Sequence, residues 1–346
     1  MTRDRRPAGM ALLTTLLVVA LLTVVVVEFT YSTNVETHLT RNSLAALQGR
    51  YLARAGVALG DLALRLDAVA KAGNPPDRPP VETLLDPWAL PLPPRPLGDG
   101  VGEAGFRIDD ESARFNVNSL TPGPGVNAIT LEARKTLFQG LLAAIGLDVN
   151  LLFPLLDWLD PDDEASVKSG AERDDYQRLS PPYLPRNGRM LTLDELQLVR
   201  GFGELTREHW VLLRSLLTAL PREDLRINVN TASEGLLTAL LAAVDDAPAA
   251  KAIVARREQQ PFLSVGELNE IPGWRQIPQQ VRSCFDVRSQ YFTVHGIGVA
   301  GAVTRAVAVT VQRSGLRLVV LDWRDEVRTA SLTSPGPSDG MTAVRR

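Results

Sequence analysis

Between positions 157 and 178 eight carboxylates, Asp157, Asp160, Asp162, Asp163, Glu164, Glu172, Asp174 and Asp175, stand against only Lys168, Arg173 and Arg178. Clustered carboxylate oxygens suit a hard divalent cation such as calcium, which takes roughly six to eight oxygen ligands. The spacing is not that of an EF-hand, because no Gly follows an alternating Asp triplet. The same residues also fit a solvated acidic loop whose Asp side chains cap helices. Nothing else in the chain has site chemistry. His38, His209 and His295 are scattered, with no Cys or His neighbours at zinc-ligand spacing. The lone Cys284 cannot form an internal disulfide and reads as a small core residue. No serine, cysteine or carboxylate pair stands out as catalytic, so the sequence points away from an enzyme.

The elements that must hold the acidic stretch are helical and occur twice. Phe115-Asn116-Val117-Asn118-Ser119 recurs as Ile227-Asn228-Val229-Asn230-Thr231, and the segment Leu191 to Phe202 recurs in outline as Leu263 to Trp274, in the same order. Thr192 with Glu195 and Ser264 with Glu267 have capping-box spacing, and Gly201 and Gly273 are placed to stop the short helices that follow. Helical stretches are expected over 131–145, 151–159, 208–220, 234–244 and 249–258. The middle of the chain thus reads as two small helical modules, each opened by a short extended segment.

At the N-terminus Met10 to Val27 is an unbroken apolar run, preceded by Arg3, Arg5 and Arg6 and followed by Glu28. It suits a membrane span with a cytoplasmic start. It is longer than the apolar stretch of a secretory signal and passes without a break into amphipathic sequence. Val35, Leu39, Leu47, Tyr51, Ala55, Leu59, Leu62 and Leu66 recur at mostly four-residue steps or their multiples, with no Pro until Pro75. One helix over 10–72 would therefore outrun a bilayer and carry an apolar stripe for packing. The Pro-rich stretch 74–100 cannot be helix and reads as a stiff connector or extended strap. After Arg288, alternating β-branched residues predict three strands turning near Gly301 and Gly315, with Phe106–Ile108 and Ala113–Val117 as partners. The last segment, 331–346, has a disordered composition.

Two motifs are weak. Gly296-Ile297-Gly298-Val299-Ala300-Gly301, with Asp322 downstream, matches a dinucleotide fingerprint, but the residues after it alternate as a strand. Gly201-Phe202-Gly203 and Pro272-Gly273-Trp274 look like the turns of helix-hairpin-helix DNA modules. The alternative they raise is a membrane-tethered DNA-binding protein of a pilus-like uptake system. Glu204 and Glu208 beside the first turn, and a formal net charge of −3, argue against nucleic acid as a partner.

The short basic leader ending in Gly9, the hydrophobic Met10 and the long apolar helix resemble the type IV pilin and pseudopilin family. That resemblance implies prepilin peptidase cleavage between Gly9 and Met10. Where most members carry a Glu as fifth residue of the cut chain, this sequence has Thr14. The missing Glu, together with Phe115-Asn116-Val117-Asn118, Asp157-Trp158-Leu159-Asp160-Pro161-Asp162, Gly170-Ala171-Glu172, Pro181-Pro182-Tyr183, Leu193-Asp194-Glu195-Leu196 and Ile227-Asn228-Val229-Asn230-Thr231, resembles the type II secretion system protein K family. The resemblance implies an α+β fold: a long N-terminal pilin helix packed on a small antiparallel sheet, with two inserted helical modules, SAM-like or helix-hairpin-helix-like. The expected divisions are a leader (1–9), helix (10–72), Pro-rich linker (73–104), first strands and first module (105–221), second module (222–288), pilin strands (289–330) and tail (331–346). It implies a minor pseudopilin in the tip complex of the pseudopilus that drives folded proteins across the outer membrane. Its partners would be other minor pseudopilins and the major pseudopilin, with the prepilin peptidase as processing enzyme. The chain would be single-pass in the bacterial inner membrane, N-terminus cytoplasmic and the rest periplasmic. Calcium is implied in the helical domain, with Asp160, Asp162, Glu164, Glu172 and Asp174 as ligands; where the family string continues with Asp, this chain has Arg173.

Overall fold

A computed structural model of the protein describes residues 8–73, 80–98, 100–121, 126–166 and 169–326. Residues 1–7 of the expected leader, Pro75, Pro76 and Pro79 of the linker, Lys168 and the expected tail 331–346 lie outside the described residues. In chain order the elements are α1 (Ala8–Ala72), β1 (Leu92–Pro96), β2 (Glu103–Asp110), β3 (Phe115–Asn116), α2 (Ala128–Ala144), α3 (Leu152–Leu159) and α4 (Arg173–Gln177). There follow α5 (Arg207–Leu216), β4 (Leu217–Thr218), β5 (Ile227–Asn228), α6 (Glu234–Ala242), α7 (Ala247–Gln259), α8 (Gln279–Arg282), β6 (Phe285–Asp286), β7 (Tyr291–Ala300), β8 (Val303–Ser314) and β9 (Arg317–Glu326).

The expected single helix forms and begins two residues early, so the Gly9–Met10 bond lies in its first turn. Its apolar residues from Met10 to Tyr31 are exposed, and it is the one helix among the described residues long and apolar enough to cross a membrane. Threonine hydroxyls in this stretch donate to carbonyls one turn back, Thr14 to Met10, Thr23 to Val19 and Thr30 to Val26, so these hydroxyls are satisfied within the helix. Further along, the helix turns Ala53, Val57 and Leu64 onto Phe106, Phe292, Val294, Val307 and Val309 of an antiparallel sheet ordered β1-β2-β7-β8-β9. Glycines set the depth of that contact. A Cβ on Gly56 would lie 2.1 Å from the Gly105 carbonyl oxygen, and one on Gly298 would lie 2.1 Å from that of Gly49. The fingerprint-like string is therefore a strand, β7, against which the helix backbone rests, with Gly301 in the turn to β8.

The three C-terminal strands and the turns at Gly301 and Gly315 form as expected. One expectation is corrected and one open alternative is resolved. Phe115–Asn116 does not join the main sheet but pairs in parallel with Leu217–Thr218, because the Asn116 carbonyl-type oxygen Oδ1 turns back to the N–H of Asn118 and ends the strand. Part of the Pro-rich stretch is an edge strand: β1 pairs with β2 at the rim, where prolines have no ladder N–H to offer. The segment before it buries Trp88 edge-on to Phe292, 5.1 Å between ring centres.

The repeat is structural. In the second copy Ile227–Asn228 pairs in parallel with Phe285–Asp286, as β3 does with β4. Asn118 bonds the backbone of Met190 through both ends of its amide, at 2.8 and 2.9 Å, and Asn230 does the same to Phe262, both bonds at 2.9 Å. Each asparagine thus pins the start of its capping segment. Gly201 and Gly273 both adopt the left-handed conformation (φ 86° and 85°). The capping box of Thr192 and Glu195 forms; that of Ser264 and Glu267 does not, and Glu267 lies 3.6 Å from Arg256 instead. The two copies share one continuous apolar core running from Phe115 to Val287.

Candidate metal centre

The acidic stretch is anchored by α3, an apolar helix whose buried Trp158 and Leu159 fix its end in the core. Asp157 is fully buried and accepts the N–H groups of Ser166 (3.0 Å) and Ala171 (2.8 Å), drawing both ends of the following loop onto the helix. Asp160 is the C-cap of α3, and Glu172 precedes α4, where Asp175 accepts the Glu172 N–H at 3.1 Å. Behind them Trp158 meets Tyr176 edge-on at 5.3 Å, and Arg200 donates to the Gly170 carbonyl at 3.1 Å.

This framework brings Asp160, Asp162 and Glu172 together, with one carboxylate oxygen of each inside a 4.8 Å group. Glu164 and Asp174 are exposed and lie outside that group; the Glu164 N–H is bonded by Asp162 Oδ1 at 2.9 Å. Asp160 Oδ1 and both oxygens of Glu172 are buried without a hydrogen-bond partner. Burial, then the charges of Asp162 and Asp157, pushes the Asp160 carboxyl up to about 7; burial, then Asp157 and Asp160, pushes Glu172 up to about 7. Nearby cations turn elsewhere. Arg173 pairs with Asp163 at 3.1 Å and Arg200 with Asp175 at 3.5 Å, and among the described residues no Lys or Arg is within ion-pair distance of the three clustered carboxylates. Converging carboxylate oxygens, those of Glu172 and Asp160 Oδ1 buried and unpartnered, are the kind of donor set a hard cation needs.

Asn187 is the residue that spacing alone could not place here. In left-handed backbone (φ 47°), it donates its amide to the Asp162 carbonyl (2.7 Å) and to Asp163 Oδ1 (3.0 Å), leaving its own Oδ1 buried and unpartnered. The Asn187-Gly188 pair, a turn signal, was its only trace in the sequence.

A second triplet, Asp67, Glu82 and Asp86, is equally close but closed by cations. Lys71 Nζ reaches all three, at 3.0, 2.7 and 2.7 Å, and Arg313 bonds Asp67 at 2.8 Å and Glu82 as well. His295 is also structural, placed between Asp109 (3.3 Å) and Glu326 (3.0 Å). Over the Gly273 turn lies the Asp246 carboxylate, where a phosphate would have to sit in a DNA-binding hairpin.

Family models described as "Type II secretion system (T2SS), protein K" match residues 113–222 and 227–288. The type II secretion system protein K of Pseudomonas aeruginosa is 34% identical over 260 residues, 74% of each chain. That of Aeromonas hydrophila is 29% identical over 334 residues, 92% of this chain and 96% of the relative. A chain in the crystal structure of the GspK-GspI-GspJ complex from enterotoxigenic Escherichia coli superposes with a TM-score of 0.68 at 19% identity, covering 84% of this chain and 99% of that one.

Proposed function

Because the chain belongs to the type II secretion system protein K family, and so is a minor pseudopilin, we propose that it forms the tip complex of the periplasmic pseudopilus together with other minor pseudopilins. The observation that carries this reading is α1, whose exposed apolar start and sheet-bound end join a membrane-length segment to a folded head. The basic residues before Met10 orient the start toward the cytoplasm, with the head in the periplasm. Prepilin peptidase then cuts between Gly9 and Met10, and the major pseudopilin packs below. Thr14 supports the tip position: its hydroxyl is turned back to the carbonyls of Met10 and Ala11, so it offers no charge to the amino group of a neighbouring subunit. The two helical modules would obstruct addition of a further subunit above.

Intact mass of the chain from cells with and without the peptidase tests the processing step. Loss of the nine residues through Gly9 only when the enzyme is present supports it, and an uncut chain in both refutes it. Deletion of 119–221 tests the tip role, which fails if the shortened protein is still incorporated only at the tip.

The same reading assigns calcium to the acidic centre. Asp160, Asp162 and Glu172 would hold it, with Glu164 and Asp174 able to join only by movement of their exposed segments. Supporting this are the buried, unpartnered oxygens of Asp160 and Glu172. The ion's role there would be structural, neutralising the carboxylates that close the loop onto α3. Titration calorimetry with calcium on the full chain tests it, and absence of heat with the wild-type chain would end the assignment.

A further inference from the structure

The two edges of the main sheet differ. At one rim β1 carries Pro93, Pro94 and Pro96, which cannot donate to an added strand. At the other, β9 pairs only with β8 and exposes apolar residues, Val320 at 56% and Trp323 at 45%. Beside Trp323 the outward flank of α1 exposes Tyr51 at 61%, and Arg54 lies between the two rings, 5.6 Å from Tyr51 and 5.9 Å from Trp323. Among the described residues Arg54 and Arg317 have no carboxylate partner, whereas the neighbouring Arg50 and Arg65 pair with Asp325 and Asp61.

From this surface we infer a docking site for an apolar helix bearing a carboxylate, supplied by another pilin-like subunit, on the exposed face where α1 meets β9, at Tyr51, Arg54, Val320 and Trp323. The inference rests on the minor-pseudopilin reading and adds the face and the chemistry of contact. Charge selects the occupant. A second copy docked face to face would set Arg54 against Arg54, whereas an acidic side chain would meet an uncompensated guanidinium already stacked on two rings. An added strand is disfavoured by the guards on the edge itself, the bulge that leaves Leu321 unpaired between Val320 and Asp322 and the charges of Asp322, Arg324 and Asp325. An aromatic–arginine cluster is also the composition in which interface energy concentrates.

The test is co-purification of the full chain, in detergent, with the co-expressed minor pseudopilins of the same secretion system. Arg54→Glu and Trp323→Ala should each lower recovery of at least one partner by about tenfold or more. Arg54→Lys should lose less, and Val211→Asp, on the exposed face of α5, should lose nothing. Unchanged melting temperatures would show that the variants fold. If Arg54→Glu and Trp323→Ala bind like wild type while Leu62→Asp or Leu66→Asp does not, the contact is the α1 stripe alone and the inference is overturned. A wild-type chain that recovers no partner instead overturns the pseudopilin-partner reading beneath it. Self-association of the wild-type chain that Trp323→Ala abolishes, seen by native mass spectrometry together with unchanged partner recovery, would identify a second copy as the occupant and also refute the proposal.

Discussion

The triplets Asp160/Asp162/Glu172 and Asp67/Glu82/Asp86 have the same chemistry and the same closeness, and differ in what faces them. The second is answered from within the chain. Lys71, one turn after Asp67 on α1, and Arg313 from β8 satisfy its carboxylates, and Trp88 Nε1 donates to Glu82 at 3.0 Å. The first is answered by no Lys or Arg on the described chain, only by the Glu164 N–H at Asp162. A buried charge without a partner is costly, so the closed triplet is a joint that fastens the end of α1 to the segment before β1, whereas the open one leaves buried carboxylate oxygens without a cation among the described residues. Carboxylate clustering alone therefore does not separate the two triplets; the disposition of the nearest cations does.

The largest expected effect breaks the closed triplet. Arg313→Met leaves Asp67 and Glu82 buried with Lys71 as their one remaining cation among the described residues and removes the guanidinium stacked 4.7 Å over Phe292. Loss of one partner from a buried ion pair costs about 3–5 kcal/mol, measurable as a lowered urea midpoint. Lys71→Met should cost less, because Arg313 remains. A neutral result for Arg313→Met would remove the distinction between the triplets.

Next in size is the response to calcium. At a hundredfold excess over its dissociation constant the ion should stabilise the wild-type chain by about 2.7 kcal/mol. Asp160→Asn with Glu172→Gln should abolish that gain, whereas Glu82→Gln should leave it intact. The reverse pattern would assign the ion to the wrong triplet.

Acidity sharpens the contrast further. With folded-state pKa values raised to about 7, Asp160 and Glu172 bind protons more tightly in the folded chain than in the unfolded one. Their contribution to stability is full below the ordinary carboxylate range and is lost as pH rises through 7. The cation-free chain should thus melt lower at pH 8 than at pH 5, by more than the Asp160→Asn/Glu172→Gln variant does. Saturating calcium should flatten the difference, since it favours the ionised carboxylates. Melting curves with and without chelator at the two pH values measure this.

Sequence periodicity showed α1 and the strands β7 to β9 because long, regular patterns dominate their segments. It did not show that Leu92–Pro96 is a strand, since prolines at a rim neither alternate nor donate, nor that Phe115–Asn116 leaves the main sheet. In both cases a side chain or a missing N–H, not a pattern, decided the pairing. The twin asparagines Asn118 and Asn230 were visible as a repeat, but their clamp on Met190 and Phe262 needed residues 72 and 32 positions away. Of the acidic centre, the stretch was legible and the selection was not. Which carboxylates converge depends on Asp157 closing the loop, and Asn187 enters from 25 residues beyond Asp162.

The smallest effect concerns Arg173, the position where the resemblance leads to an expected Asp. Its guanidinium is turned to Asp163, with both side chains about half exposed, and is not aimed at Asp160 or Glu172. An exposed pair of this kind is worth about 0–1 kcal/mol. Arg173→Ala should therefore barely change the melting temperature of the cation-free chain. Removing a positive charge near the centre should tighten calcium binding, by less than about threefold because exposed charges are screened. Calorimetry on Arg173→Ala and Arg173→Asp separates two accounts of the position. If Asp at 173 tightens binding far beyond Ala, its carboxylate reaches the ion and the open triplet lacks a ligand in this chain. If the two variants match, the convergence of Asp160, Asp162 and Glu172 suffices, and Arg173 only sets the local field.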